Sequence, residues 1–111
     1  MGKGSFLGEF EQVVLLAVAH LREDGYGLSI RREIERRTGR SVTVGSVYST
    51  LARLEEKGLA SSYEGDATPR RGGRAKRHFR LEEAGMRALQ ASRGMLDSMW
   101  DGVDFDVASR T

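Results

Sequence analysis

Residues Thr43 to Lys57 read TVGSVYSTLARLEEK, and this stretch decides the fold. At 100° per residue, Val44, Val47, Leu51 and Leu54 gather on one side of a helix. Gly45, Ser46, Ser49, Arg53 and Glu56 fall opposite, with Tyr48 at the flank. Thr43 is a candidate N-cap, and Gly58 stands just past the end. A purely solvated outer face would carry Lys and Glu throughout. Here its N-terminal part is small and hydroxyl-rich, which lets a backbone approach a second surface closely.

Working outward, a helix over about Leu28–Thr38 comes before it, with Ile30 and Ile34 inward and Gly39 as its stop. Its outer positions hold Arg31, Arg32, Arg36 and Arg37 interleaved with Glu33 and Glu35, a pattern open to either phosphate contact or a solvated face. Earlier still, Phe6, Phe10, Val13, Val14, Ala17, Val18 and Leu21 recur at three and four residues, predicting a helix from about Ser5 to Arg22 with Ser5 as N-cap. After the decisive stretch a short strand is expected over about Leu59–Glu64. A turn-rich loop with Gly65, Asp66, Pro69, Gly72 and Gly73 follows, then a return strand over about Ala75–Leu81. Alternation sets Phe79 and Leu81 on one face, with Lys76, His78 and Arg80 on the other. A last helix runs from Glu82 or Glu83 to about Trp100, and an acidic tail after Gly102 is expected to fray.

Three helices followed by a two-stranded hairpin describe an α+β, mainly α, winged helix-turn-helix, residues 1–81, with a C-terminal dimerisation helix and short acidic tail over 82–111. The third helix would enter the DNA major groove, where Ser46, Tyr48, Ser49 and Arg53 are its candidate contacts. The loop and return strand hold Arg70, Arg71, Arg74, Lys76, Arg77 and Arg80 against the single acid Asp66, a basic wing suited to the phosphate backbone or minor groove.

Charge divides the same way. The chain of 111 residues carries 18 Lys and Arg against 16 Asp and Glu. Residues 1–81 have a balance of +5 and residues 82–111 a balance of −3, so only the body is suited to a polyanion. There is no cysteine, which excludes disulfides, thiolate nucleophiles and Cys-based zinc sites. No run approaches the roughly 18 apolar residues of a membrane span, and the first residues lack a secretory pattern, so a cytoplasmic protein is expected. Two distant histidines, no phosphate-cradling glycine loop and no paired carboxylates argue against an enzyme, a metal or a cofactor.

The C-terminal helix bears an apolar stripe of Leu89, Leu96, Met99 and Val103, with Ser92 in its weak position, and so short a chain offers it no other surface. Pairing with a second copy is the expectation, with Phe6 and Phe10 of the first helix joining the seam. Trp100, with Met95 and Met99 near it, could sandwich a small aromatic effector or simply fill that seam.

The residues also resemble the PadR family of bacterial transcriptional regulators. The likeness rests on Tyr26-Gly27 with Ile30 and Ile34, on Gly45-Ser46-Val47-Tyr48-Ser49-Thr50-Leu51-Ala52-Arg53-Leu54-Glu55, on Gly58-Leu59, and on Lys76-Arg77-His78-Phe79-Arg80-Leu81-Glu82-Glu83-Ala84-Gly85. It covers roughly residues 6–89. Ser49 stands where proline is frequent in the family, and His78-Phe79 where two tyrosines are. The resemblance implies a homodimer joined through the C-terminal helix packed on the partner's first helix, mostly repressing transcription, and in some members a flat aromatic ligand held between the dimer's helices. Pairing itself would set two recognition helices about 34–36 Å apart, suiting a palindromic site. Two other readings stand beside it: a winged-helix protein-interaction module that reads no operator, and a binder of single-stranded nucleic acid, for which only Tyr48 and Tyr63 could stack bases.

Overall fold

The computed structural model describes residues 6–65 and 76–108. Helix α1 spans Glu9–Leu21 and ends in a 3-10 turn, Arg22–Asp24; α2 spans Gly27–Thr38 and α3 Val44–Glu56. Strands β1, Ala60–Glu64, and β2, Arg77–Leu81, follow, then α4, Glu83–Trp100, and a short α5, Phe105–Ala108. The expected order of elements is present, as a mainly helical winged helix-turn-helix.

Several expected bounds shift by one residue, and larger changes fall at three places. The first helix begins at Glu9, not at Ser5, which lies outside the described residues; Phe6–Gly8 instead lie before α1 outside any helix, with a bend at Phe6 and Gly8 extended. Gly8 occupies the N-cap position and its N–H donates to Glu11 Oε1 at 3.0 Å. The return strand begins at Arg77. The tail expected to fray instead turns at Gly102 (φ 81°) into α5, because glycine takes the left-handed conformation without a Cβ penalty.

Capping and periodicity explain the middle of the chain. Thr43 Oγ1 accepts from Ser46 N–H at 3.0 Å, satisfying one orphan donor of α3. Gly58, at φ 74°, ends that helix, and Leu59 N–H returns to Leu54 O at 2.9 Å. The apolar faces meet in one core of Val14, Leu15, Val18, Ile30, Ile34, Val47, Leu51, Leu54 and Phe79. Burying each of these large side chains contributes about 1.5–3 kcal/mol.

The strands pair antiparallel, with Ser62 opposite Phe79 and Tyr63 opposite His78. Tyr26 bridges to His78, and Phe79 N–H donates to Gly25 O at 2.8 Å, so the start of α2 adds a third edge to the hairpin. Helix α4 crosses this assembly at Gly85, where a Cβ would stand 2.2 Å from Leu59 O. Only glycine permits that crossing. Beyond Ser92 every residue of α4 is exposed, and the molecule is correspondingly long, 63 × 32 × 20 Å.

Candidate nucleic-acid interface

The outward side of α3 is exposed at Gly45, Tyr48, Ser49, Ala52, Arg53 and Glu56. Near the N-terminus this face is low. Ser49 Oγ donates to Gly45 O at 2.9 Å and Ser46 Oγ to Thr43 O at 2.8 Å. Both hydroxyl protons are therefore used within the helix, leaving oxygen lone pairs and bare backbone outward. Ala52 belongs to this face as well; lacking a polar group, it gave no signal in the sequence.

Tyr48 serves packing and exposure together. Its ring lies over the Gly27 backbone, where a Cβ would stand 2.4 Å from Cζ, and meets Phe79 edge-on with centroids 6.2 Å apart. The side chain is still 43% exposed, so the phenol sits at the α2–α3 junction, open to solvent. Gly27 is small because Tyr48 needs the space.

Arg53 is engaged from within. Its Nη2 donates to Thr50 Oγ1 at 3.2 Å, and its Nε lies 3.9 Å from Glu11 Oε2. Lys57 Nζ donates to the same carboxylate at 2.8 Å. Glu11 is buried, which pushes its carboxyl up, but the Lys57 and Gly8 hydrogen bonds and the charges of Lys57 and Arg53 outweigh this and hold it below its ordinary 4.5. Glu11 and Lys57 were not foreseen as part of this face, since an isolated Glu on a helical pattern reads as a solvated position.

The hairpin separates its two faces by charge partner. On the inner face, Arg77 Nη2 stands 3.9 Å from Glu55 Oε2, which also accepts from Ser62 Oγ at 2.7 Å. On the outer face Tyr26, His78 and Tyr63 form a row, with 5.5 Å between the centroids of each neighbouring pair. Cations close both ends: Lys76 Nζ lies 4.2 Å from the Tyr26 centroid and Arg80 Cζ 4.4 Å from that of Tyr63. Among the described residues neither Lys76 nor Arg80 meets a carboxylate. Arg70, Arg71 and Arg74 lie outside the described residues.

Of the four α2 arginines, two pair within the helix, while Arg31 Nε is buried with no hydrogen-bond partner among the described residues. Arg36 and Arg37 both bond Glu33, Arg37 at very short range, and these bonds hold the Glu33 carboxyl below its ordinary 4.5. Arg40 pairs with Glu9 at 2.8 Å and covers the Phe10 ring at 5.2 Å.

The residues expected at a seam between copies divide into two groups. Phe10 and Leu89 are partly buried against their own core. Phe6, Met95, Leu96, Met99, Trp100 and Val103 are exposed, Met99 at 72%. Trp100 meets Phe105 of α5 edge-on, centroids 5.8 Å apart, a partner hidden in the tail that sequence reading left unstructured. An open groove of about 520 Å³ between α1 and α4 is lined by Leu16, Met86, Leu89, Leu96 and Trp100, among others. Among the described residues no cluster of His, Asp and Glu is arranged to hold a metal ion, and no helix is long and apolar enough to cross a membrane.

Comparison with known proteins agrees with this architecture. An uncharacterized protein of Lysinibacillus sphaericus is 31% identical over 80 residues, 70% of this chain and 69% of its own length. The hsRosR-S4 complex structure, of RosR from H. salinarum, is 27% identical with a TM-score of 0.68, covering 94% of this chain and 82% of that one. A PadR family transcriptional regulator from Eggerthella lenta shares the fold at 24% identity and a TM-score of 0.65, covering 85% of this chain and 81% of that one. Residues 15–91, from the middle of α1 to the docked half of α4, match the model of the transcriptional regulator PadR-like family, and the chain belongs to that family.

Proposed function

We propose that this transcriptional regulator acts as a homodimeric repressor on a palindromic operator. The observation that carries the reading is the low, exposed N-terminal face of α3, with Gly45 and Ser49 outward, beside a hairpin whose cations Lys76 and Arg80 meet no carboxylate among the described residues. In this reading α3 enters the major groove through Ser46, Tyr48, Ser49 and Arg53. Lys76 and Arg77, with Arg70, Arg71 and Arg74 of the loop, neutralise phosphates. The exposed stripe of Leu96, Met99 and Val103 supports pairing through α4, with Phe6, Phe10 and Leu89 at its margin. Two reader helices would then stand about 34–36 Å apart, one turn of DNA. The groove that Trp100 lines together with Leu16, Met86 and Leu96 suits a small aromatic effector that releases the DNA, Met95 and Met99 lying outside its lining, and the domain boundary falls between β2 and α4.

The test is binding to a labelled fragment of the DNA upstream of its own gene, at two salt concentrations, with random duplex as competitor. Tight binding that resists the competitor and falls steeply with salt is expected. Arg53→Ala should weaken that fragment more than random duplex, whereas Arg74→Ala should weaken both alike; wild-type affinity for Arg74→Ala at every salt concentration would remove the wing from the interface. Wild-type binding that random duplex abolishes leaves an operator elsewhere in the genome or the interaction-module reading. Selection of duplexes from a randomised pool separates these two.

A further inference from the structure

Among the described residues only four polar or charged side chains are buried, Glu11, Glu33, Thr50 and Ser92. Three of them lie on one continuous run of contacts from α4 to α3. Ser92 of α4, fully buried, accepts from Leu7 N–H at 3.2 Å. Leu7 is itself buried in the core, and its carbonyl accepts from Gln12 Nε2 at 3.2 Å. The adjacent Gly8 N–H donates to Glu11 Oε1 at 3.0 Å. Glu11 Oε2 accepts from Lys57 Nζ at 2.8 Å and lies 3.9 Å from Arg53 Nε, whose Nη2 reaches Thr50 Oγ1 at 3.2 Å.

A buried polar group holds its place through its partners, because losing one leaves an atom desolvated and unpaired. The three-residue strap Phe6–Gly8 is bonded on both sides in this way, to α4 through Leu7 and to the cations of α3 through Gly8 and Glu11. Ser92 marks the last buried position of α4, so any change in how the free half of that helix is seated is felt there first.

We propose that this run is the link by which the seating of α4 sets the cations at the C-terminal end of the reader helix, Arg53 on α3 and Lys57 at its C-cap, with Glu11 their positioning residue and Ser92 the anchor of the strap. The inference rests on the reading of α3 as the DNA-contacting helix. It adds that the assembly helix and the reader helix are coupled through named side chains, a physical connection of the kind that can carry coupling between sites.

The experiment uses the full chain and a duplex that the wild type selects from a randomised pool. Ser92→Ala, a residue outside the DNA-facing set, should bind that duplex about threefold to tenfold more weakly. Its sedimentation and its affinity for random duplex should stay unchanged. In an Arg53→Ala background the same substitution should have a smaller effect than in the wild-type chain, since only Lys57 is then left to misplace. Losses that multiply in the double variant overturn the link, as does wild-type affinity for Ser92→Ala. If Ser92→Ala does not fold, the other end of the run serves: Lys57→Met should weaken binding less in a Glu11→Gln background than in the wild-type chain, and independent losses overturn the proposal in the same way. A wild type that selects no duplex overturns the DNA reading and this inference with it, whereas clean selection with multiplying losses overturns the inference alone.

Discussion

The two halves of α4 share a helix and little else. From Glu83 to Ser92 the helix is fitted to the rest of the chain: Gly85 crosses Leu59 with no room for a methyl, Ala88 and Leu89 pack on the core, and Ser92 is buried with a backbone partner. From Arg93 to Trp100 nothing of the helix is buried, although Met95, Leu96, Met99 and Trp100 are large and apolar. In the first half Gly85, Ala88, Leu89 and Ser92 are each explained within the chain, and of its large apolar residues only Met86 is exposed. In the second half only Trp100 meets another apolar group of the chain, Phe105, and the exposed Met95, Leu96 and Met99 suit a surface outside it, the role the proposed second copy fills.

The comparison breaks most visibly at Gly85. A valine there must displace Leu59 O, a backbone atom, and the Leu81 side chain, whose Cδ1 would lie 2.8 Å from the new Cβ. We expect a loss of about 3 kcal/mol or more, read as a lowered urea midpoint. The matching substitution in the other half, Leu96→Glu, should leave the fold of each protomer intact, since Leu96 is 46% exposed. It should instead convert a sedimenting dimer into a monomer at micromolar concentration. A Leu96→Glu chain that still sediments as a dimer would place the seam away from the free half of α4.

The same contrast explains what the sequence disclosed. Periodicity and glycine stops placed α2, α3 and the hairpin within a residue or two, because those elements bury one face and expose the other, and burial is what periodicity records. Ser92 was visible only as a flaw in an apolar stripe; its meaning depends on a Leu7 N–H 85 residues away. Glu11 was invisible for the same reason, its partner Lys57 being 46 residues distant. Phe6 to Gly8 read as the opening of a helix because their apolar spacing continues that of α1, yet the bond from Gly8 N–H to Glu11 starts the helix later. The small outer face of α3 was legible. That its serine hydroxyls donate back to the helix was not, since spacing carries no information on where a hydroxyl proton points.

Acid provides a finer test of the docked half. Burial raises the Glu11 carboxyl, and the Lys57 bond, the Gly8 N–H and the two cations lower it further than burial raises it, so its folded value lies below the ordinary 4.5. Glu33, bonded by Arg37 and Arg36, is displaced the same way. A carboxylate that ionises more readily when folded contributes stability above its unfolded value and loses it as pH falls through 4.5 toward the folded value. Wild-type stability should therefore decline over that range, and the difference between wild type and Glu11→Gln should narrow as pH falls from 6 to 3. Parallel curves would mean that Glu11 holds the strap by hydrogen bonding alone, with no contribution from its charge.

The smallest expected effect is the most informative about the free half. Gly94 lies on α4 with nothing within 4 Å of a Cβ, the reverse of Gly85. In a helix open to solvent, Gly94→Ala should raise stability by roughly 0.5–1 kcal/mol, because alanine gives up less backbone entropy. That gain should be seen at protein concentrations low enough to dissociate any dimer. A dimer whose partner helix comes close at Gly94 would turn the gain into a loss as concentration rises, since the added methyl would meet the second copy as a Gly85 methyl meets Leu59. Urea midpoints of wild type and Gly94→Ala at two concentrations thus fix which side of the free half the partner covers: an equal gain at both leaves Gly94 on the open side of the seam, and a reversal puts it at the point of closest approach.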